Sequence, residues 1–282
     1  MNFTNQKSFY RPAEIVDTIS LFPESANMTV DRNKEKSVIV HLEDGSKKIV
    51  NICSPSYALI HNKDIFPMIE EKIGESFEFD AKYKMCNDAV FYVDYELKDI
   101  NYSVGDEKDK IIPMVRVFHS YNGYIRFHIE FGYKRLICSN GLYGYEFSDK
   151  FIMKHSHGNI NAIINSCNVS VKRFVEQAEQ FKSRYDILSQ KEVTSPLERI
   201  EMVALSTNFP QKQVESVISK YEEESKIFPT TDWLIYNSFN YQLNHNENFT
   251  TDIVTRTKLD KQIFNVIEKG IYSETAKKLV VL

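Results

Sequence analysis

The chain has 282 residues, of which 42% are hydrophobic and 13% aromatic, with 9 Gly, 8 Pro and a formal net charge of −4. That is ample apolar material for a buried core, and so few Gly and Pro argue against low-complexity disorder and long flexible linkers. No apolar run reaches the length of a membrane helix and the N-terminus lacks a signal-peptide-like segment, so a cytoplasmic protein with no membrane contact is expected.

In chain order, the first part reads as β-rich. Ser37–Leu42 and Lys48–Cys53 are short apolar runs separated by Glu43-Asp-Gly-Ser46, and Asp44-Gly45 between them signals a hairpin. A helix follows, capped by Asn62 or Asp64, with Ile65, Phe66, Ile69 and Ile73 on one face and Pro67 near its first turn. Val90–Leu97 reads as a strand with an apolar face. Tyr124–Tyr133 alternates throughout, with Ile125, Phe127, Ile129, Phe131 and Tyr133 on one side and Tyr124, Arg126, His128 and Glu130 on the other. Asn122-Gly123 joins it to Ile111–His119, which predicts a hairpin with a type I′ turn. These strands predict a curved antiparallel sheet with one polar face.

From Asn159 the period becomes helical. Ile160, Ile163, Ile164, Cys167, Val171, Phe174, Val175, Ala178, Phe181, Tyr185 and Leu188 form one stripe, which predicts a single long helix packed across the sheet. Ser195, Pro196 and Glu198 then form a capping box, and further helices are expected at about 196–206, 210–226, 231–246 and 256–269. The fold class is α+β. The organisation expected is a β-rich core with a long helix over 1–190 and a helical region over 195–282.

No sequence motif of a nucleotide-binding, hydrolase or zinc-peptidase site is present, so a non-enzymatic protein without cofactor or metal is expected. Cys53, Cys86, Cys138 and Cys167 lie tens of residues apart and read as free, mostly buried thiols. His119, His128, His155 and His157 lack a completing acidic or thiol ligand at suitable spacing, and ordinary surface or hydrogen-bonded histidines are the better reading. The run Glu222-Glu-Glu224 reads as a solvated helical face.

Charge is segregated. Between Lys110 and Val175 there are nine Lys/Arg against three Asp/Glu, a balance of +6 inside a chain of −4. Arg116, Arg126, Lys134, Arg135, Lys150, Lys154, Lys172 and Arg173 are interleaved there with Tyr121, Tyr124, Tyr133, Tyr143, Tyr145 and Phe151. Cations for phosphates and aromatic faces for stacking are what a single-stranded nucleic-acid groove requires.

Several segments resemble a known family. Ser54–Phe66, Ser120-Tyr-Asn-Gly-Tyr124, Arg135-Leu-Ile-Cys-Ser-Asn-Gly-Leu142, Lys154-His155, Trp233–Phe239 and Arg256 are similar to elements of the phage and plasmid proteins grouped as domain of unknown function 932. The resemblance covers about residues 50–265, is most specific at Arg135–Leu142, and leaves residues 1–45 unmatched. It implies a phage or prophage protein of the host bacterial cytoplasm. By analogy of hairpins followed by a long helix, it implies a core like that of ring- or filament-forming phage annealing proteins.

The expected function is therefore phage-encoded, non-enzymatic nucleic-acid binding of annealing or recombination type, favouring single-stranded DNA, with self-assembly into a homo-oligomer. Arg116, Arg126, Lys134, Arg135, Lys150 and Lys154 are the expected phosphate contacts, Tyr124 and Tyr143 the stacking residues, and His155 a loop or DNA contact. Asn122, Gly123, Cys138, Asn140 and Gly141 are the expected structural motif, and Arg135 reads equally as a structural arginine tying an Asn140-Gly141 turn to the sheet. The alternative is a module that binds or redirects a host or phage protein through its acidic helical part, with Tyr236, Phe239 and Tyr241 near Trp233 as the working surface.

Overall fold

The computed structural model describes residues 6–21, 35–137, 140–142, 151–153, 160–246 and 252–272. The fold is α+β, and the chain forms two units that interleave in sequence. The first comprises 1–97, 115–130 and 148–173, and the second 98–114, 131–147 and 174–282.

In the first unit, a short helix α1 (Gln6–Phe9) precedes β1 (Ala13–Asp17), β2 (Lys36–His41) and β3 (Lys47–Cys53), which form an antiparallel three-stranded sheet in that order. The Asp44-Gly45 hairpin is thus present between β2 and β3, with Asp44 Oδ1 accepting from Ser46 N and Oγ. Helix α2 (Asn62–Gly74) buries Ile65, Phe66, Ile69 and Ile73 as expected. Pro67 lies in its second turn rather than its first, where the ring removes one helical N–H.

A seven-stranded sheet has the order β10-β8-β7-β5-β4, with β6 added to β7 and β9 to β8. Its strands are β4 (Phe79–Asn87), β5 (Val90–Leu97), β6 (Tyr102–Val104), β7 (Asp106–Ser120), β8 (Phe127–Arg135), β9 (Asn140–Leu142) and β10 (Phe151–Met153). The predicted alternation in β8 holds: Phe127, Ile129, Phe131 and Tyr133 are buried, while His128, Glu130 and Lys134 are partly exposed. The single polar face does not hold at β5, where all but Glu96 are buried because Asp94 is neutralised by Arg116. Asn140 and Gly141, read as a turn, belong instead to β9, with Arg135 opposite Asn140 and Lys134 opposite Gly141.

The predicted long helix is two. Helix α3 (Ile160–Glu176) ends before Gln177, whose ψ of 1° breaks the run, and α4 (Ala178–Gln190) follows. Phe174, Ala178, Phe181, Tyr185 and Leu188 remain buried across the break, so the apolar stripe carries no mark of it. In the second unit Phe174 packs on Phe131 and Tyr133, and Tyr185 on Tyr133.

Among the described residues, that unit continues with the α-helices α5 (Pro196–Thr207), α6 (Val214–Glu224), α7 (Asp232–His245) and α8 (Ile253–Lys269). Ser195 and Pro196 begin α5 where predicted, but the Ser195 side chain makes no capping bond. Helix α7 is the centre, touching α4, α6, α8 and β9, and every residue from Thr231 to Asn240 is buried. A helix surrounded in this way has no polar stripe to show in its sequence. No described helix is long and apolar enough to cross a membrane.

Candidate functional site

Among the described residues, the tip between β7 and β8 carries the exposed aromatic ring of the predicted interface. Ser120 Oγ donates to Ile125 O (2.7 Å) and receives Ile125 N–H (3.2 Å), closing the six-residue connection Tyr121–Arg126. Asn122 Oδ1 accepts from Tyr124 N (3.0 Å), and Gly123 has φ +67°. Asn122 keeps negative φ, so the turn is not the predicted type I′, which needs positive φ at both positions. A side-chain acceptor at Asn122 does the work that a second left-handed residue would have done. Tyr57 Oη, donating to Tyr121 O (2.9 Å), ties the tip to the loop before α2. Tyr124 is left 68% exposed, and Arg126 is exposed two residues on.

The other expected contacts separate into groups. Arg116 is buried rather than facing solvent: its Nη2 donates to Asp94 Oδ2 (2.8 Å), and its guanidinium lies over the Tyr92 ring at 4.6 Å. Burial alone would push the Asp94 carboxyl up, but Arg116 and Lys84 outweigh it and hold it below its ordinary range. A cation so paired inside a sheet is not available to a phosphate. Lys134 is partly exposed, and Lys172 and Arg173, on α3, are exposed. Cys138, Tyr143, Lys150, Lys154 and His155 lie outside the described residues, and Asn140 and Gly141 are described through the backbone of β9.

Arg135 is the second correction. It is 0% exposed and donates from Nε and Nη2 to the two oxygens of Asp109 (2.7 Å each) and from Nη1 to Glu224 Oε2 (2.7 Å). Trp233 Nε1 donates to Asp109 Oδ2 (2.8 Å), and the guanidinium lies 5.3 Å from the Phe228 ring centroid. Lys220 Nζ, 3.3 Å from Glu224 Oε1, adds a second cation on the far side. This is a planar bidentate Arg–carboxylate pair extended by a second acid, a geometry that fixes strands β7 and β8 to α6 and α7.

Glu224 was missed by the sequence reading and its signal was present. Val214, Val217, Tyr221 and Glu224 recur at helical spacing and all four are buried, so Glu224 stands on the apolar stripe while Glu222 and Glu223 face solvent. Trp233, Tyr236 and Phe239, the proposed working surface of an interaction module, are likewise buried, and Tyr241 leans on His245. Among the described residues no group of three or more His, Cys, Asp or Glu could hold a metal ion.

No curated protein and no solved structure matches the chain. The family described as Domain of unknown function (DUF932) matches residues 50–265, a span that contains both the β7–β8 tip and the Arg135 centre, and the chain belongs to that family.

Proposed function

We propose that the protein is a non-enzymatic, single-stranded nucleic-acid-binding protein, of the annealing or recombination type that a phage would encode for use in the host cytoplasm, acting as a homo-oligomer. The observation that supports this reading is the β7–β8 tip, where Tyr124 presents an open ring face beside the exposed cation of Arg126. A ring for base stacking and a guanidinium for the adjacent phosphate make a sequence-tolerant contact to a single strand. Lys172 and Arg173, exposed on α3, add positive charge within the same unit. The buried Arg116 and Arg135 play no part in contact with the strand.

Fluorescence anisotropy with labelled single- and double-stranded DNA across a salt series tests the proposal. Tighter binding to single strands, weakening steeply as salt rises, is the expected result. Absence of binding at low salt overturns it.

A further inference from the structure

A cavity of about 360 Å³ opens in the second unit beside the Arg135 centre. Its volume is in the range of small-molecule sites, which run from roughly 300 to 1,000 Å³. One wall is apolar and flat, formed by the Trp233 indole, the Phe228 ring and Pro229. The β6–β7 turn forms another wall. Gly105 holds φ +67° there, and a Cβ on it would lie 2.8 Å from Ser189 Cβ and Oγ, so a glycine is what lets this turn close on α4.

The polar lining accepts more hydrogen bonds than it donates. Asp106 contributes an exposed carboxylate, while Asp109 is already filled by Arg135 and Trp233; Ser189 and Gln190 are the last residues of α4, whose terminal carbonyls lack helical partners. The one cation in the wall, Arg135, is already matched by Asp109 and Glu224. Phosphate is therefore a poor fit, whereas a ring bearing an amine is a good one: the amine meets the Asp106 carboxylate and the α4 carbonyls, and the flat faces meet Trp233 and Phe228. Helix α7 begins in the same wall at Thr231–Leu234, so the positive end of a helix faces the cavity as well.

We propose that this cavity binds an amino-bearing heteroaromatic ring of the adenine or cytosine class. The identification of the ring as a nucleobase rests on the nucleic-acid reading above, under which an unstacked base of a single strand would enter the cavity and be held by stacking and by its pairing edge. Asp106 is the exposed acceptor of the set, with Oδ1 taking the Lys108 N–H at 2.8 Å, and its exchange does not open the Arg135 centre.

Trp233 is the only tryptophan of the chain, so its emission reports on the cavity directly. The full chain is titrated with adenosine and cytidine, with uridine and thymidine as rings lacking the amine, and the same series is run on Asp106→Asn. The expected result is a saturable change in emission with adenosine or cytidine, about tenfold weaker with uridine and thymidine and about tenfold weaker in Asp106→Asn, the worth of a hydrogen bond to a charged group. No saturable change, equal response to all four nucleosides, or a response untouched by Asp106→Asn overturns the proposal. A response to arginine methyl ester in place of the nucleosides also overturns it and gives the cavity to a partner's cationic side chain. DNA anisotropy on the same samples separates the two readings. Strand binding without any nucleoside response sinks the cavity and leaves the tip. Nucleoside binding without strand binding upholds the cavity, with a free nucleoside as its ligand, and sinks the tip.

Discussion

Arg135 Nη1 donates to Glu224 Oε2 at 2.7 Å, joining two residues 89 apart in sequence, while the opposite edge of the same guanidinium clasps Asp109. All three side chains are at most 5% exposed. Arg135→Met leaves the Asp109 and Glu224 carboxylates buried without the guanidinium that pairs with both, and should lower the free energy of unfolding by about 3–5 kcal/mol. Urea denaturation followed by Trp233 fluorescence measures this. Adding Asp109→Asn and Glu224→Gln to Arg135→Met should recover part of the loss, because the stranded charges are then gone. A single substitution that costs under about 1 kcal/mol would contradict a structural role for the triad.

The same three residues show how far the sequence could be read. The alternation of β8, the hairpins and the positions of α5 to α8 were legible because burial on one face writes a period into the chain. Arg135 was visible as a cation in a specific block and a structural role was one of its two readings, yet its partners were not legible, since nothing local marks Asp109 and Glu224. Glu224 was the recoverable omission, lying on the stripe of Val214, Val217 and Tyr221. The break at Gln177 was not recoverable, because Phe174, Ala178 and Phe181 stay buried on either side of it. The surroundings of Trp233 were misjudged for a related reason: a helix buried all round gives no contrast between faces.

Glu70, half-buried on α2, accepts at Oε1 from Tyr83 Oη (2.6 Å) and Tyr95 Oη (3.3 Å). Burial raises its carboxyl above the ordinary value, and the two tyrosine hydrogen bonds only partly oppose that. The folded state therefore holds the proton after the unfolded chain has released it. The stability this contributes is complete below the unfolded value and is lost as pH rises through the folded one. Glu70→Gln keeps the acceptor and cannot ionise, so its stability relative to the parent should grow through that window, with a slope of at most about 1.4 kcal/mol per pH unit. Parallel stability curves for the two proteins between about pH 4 and pH 7 would show that Glu70 is not linked to folding in this way.

Thiol chemistry should follow burial. Cys167 is 0% exposed and burial pushes its thiol up to about 12, burial also raises Cys53, and Cys86 is exposed on β4. Because the thiolate is the reactive form, iodoacetamide at about pH 8 should label Cys86 within minutes and leave Cys53 and Cys167 unmodified until denaturant is added. Peptide mass spectrometry reads the three sites separately. Labelling of Cys167 in the native protein at a rate comparable to Cys86 would mean that α3 opens readily.

Tyr124 and Arg126 should affect strand binding in different ways, which makes the pair diagnostic. Loss of one stacked base in Tyr124→Ala should weaken single-strand affinity by about 1–3 kcal/mol with the salt slope unchanged. Arg126→Ala should remove one phosphate contact and reduce the magnitude of the salt slope by about 0.7. Both side chains are exposed and neither closes the turn, which Ser120 and Asn122 hold, so both variants should unfold at the parent's denaturant concentration. Arg135 stays intact in these experiments, since its removal would confound binding with folding. If both variants bind with the parent's affinity and the parent's slope, the β7–β8 tip does not touch the strand and Lys172 and Arg173 become the next positions to substitute.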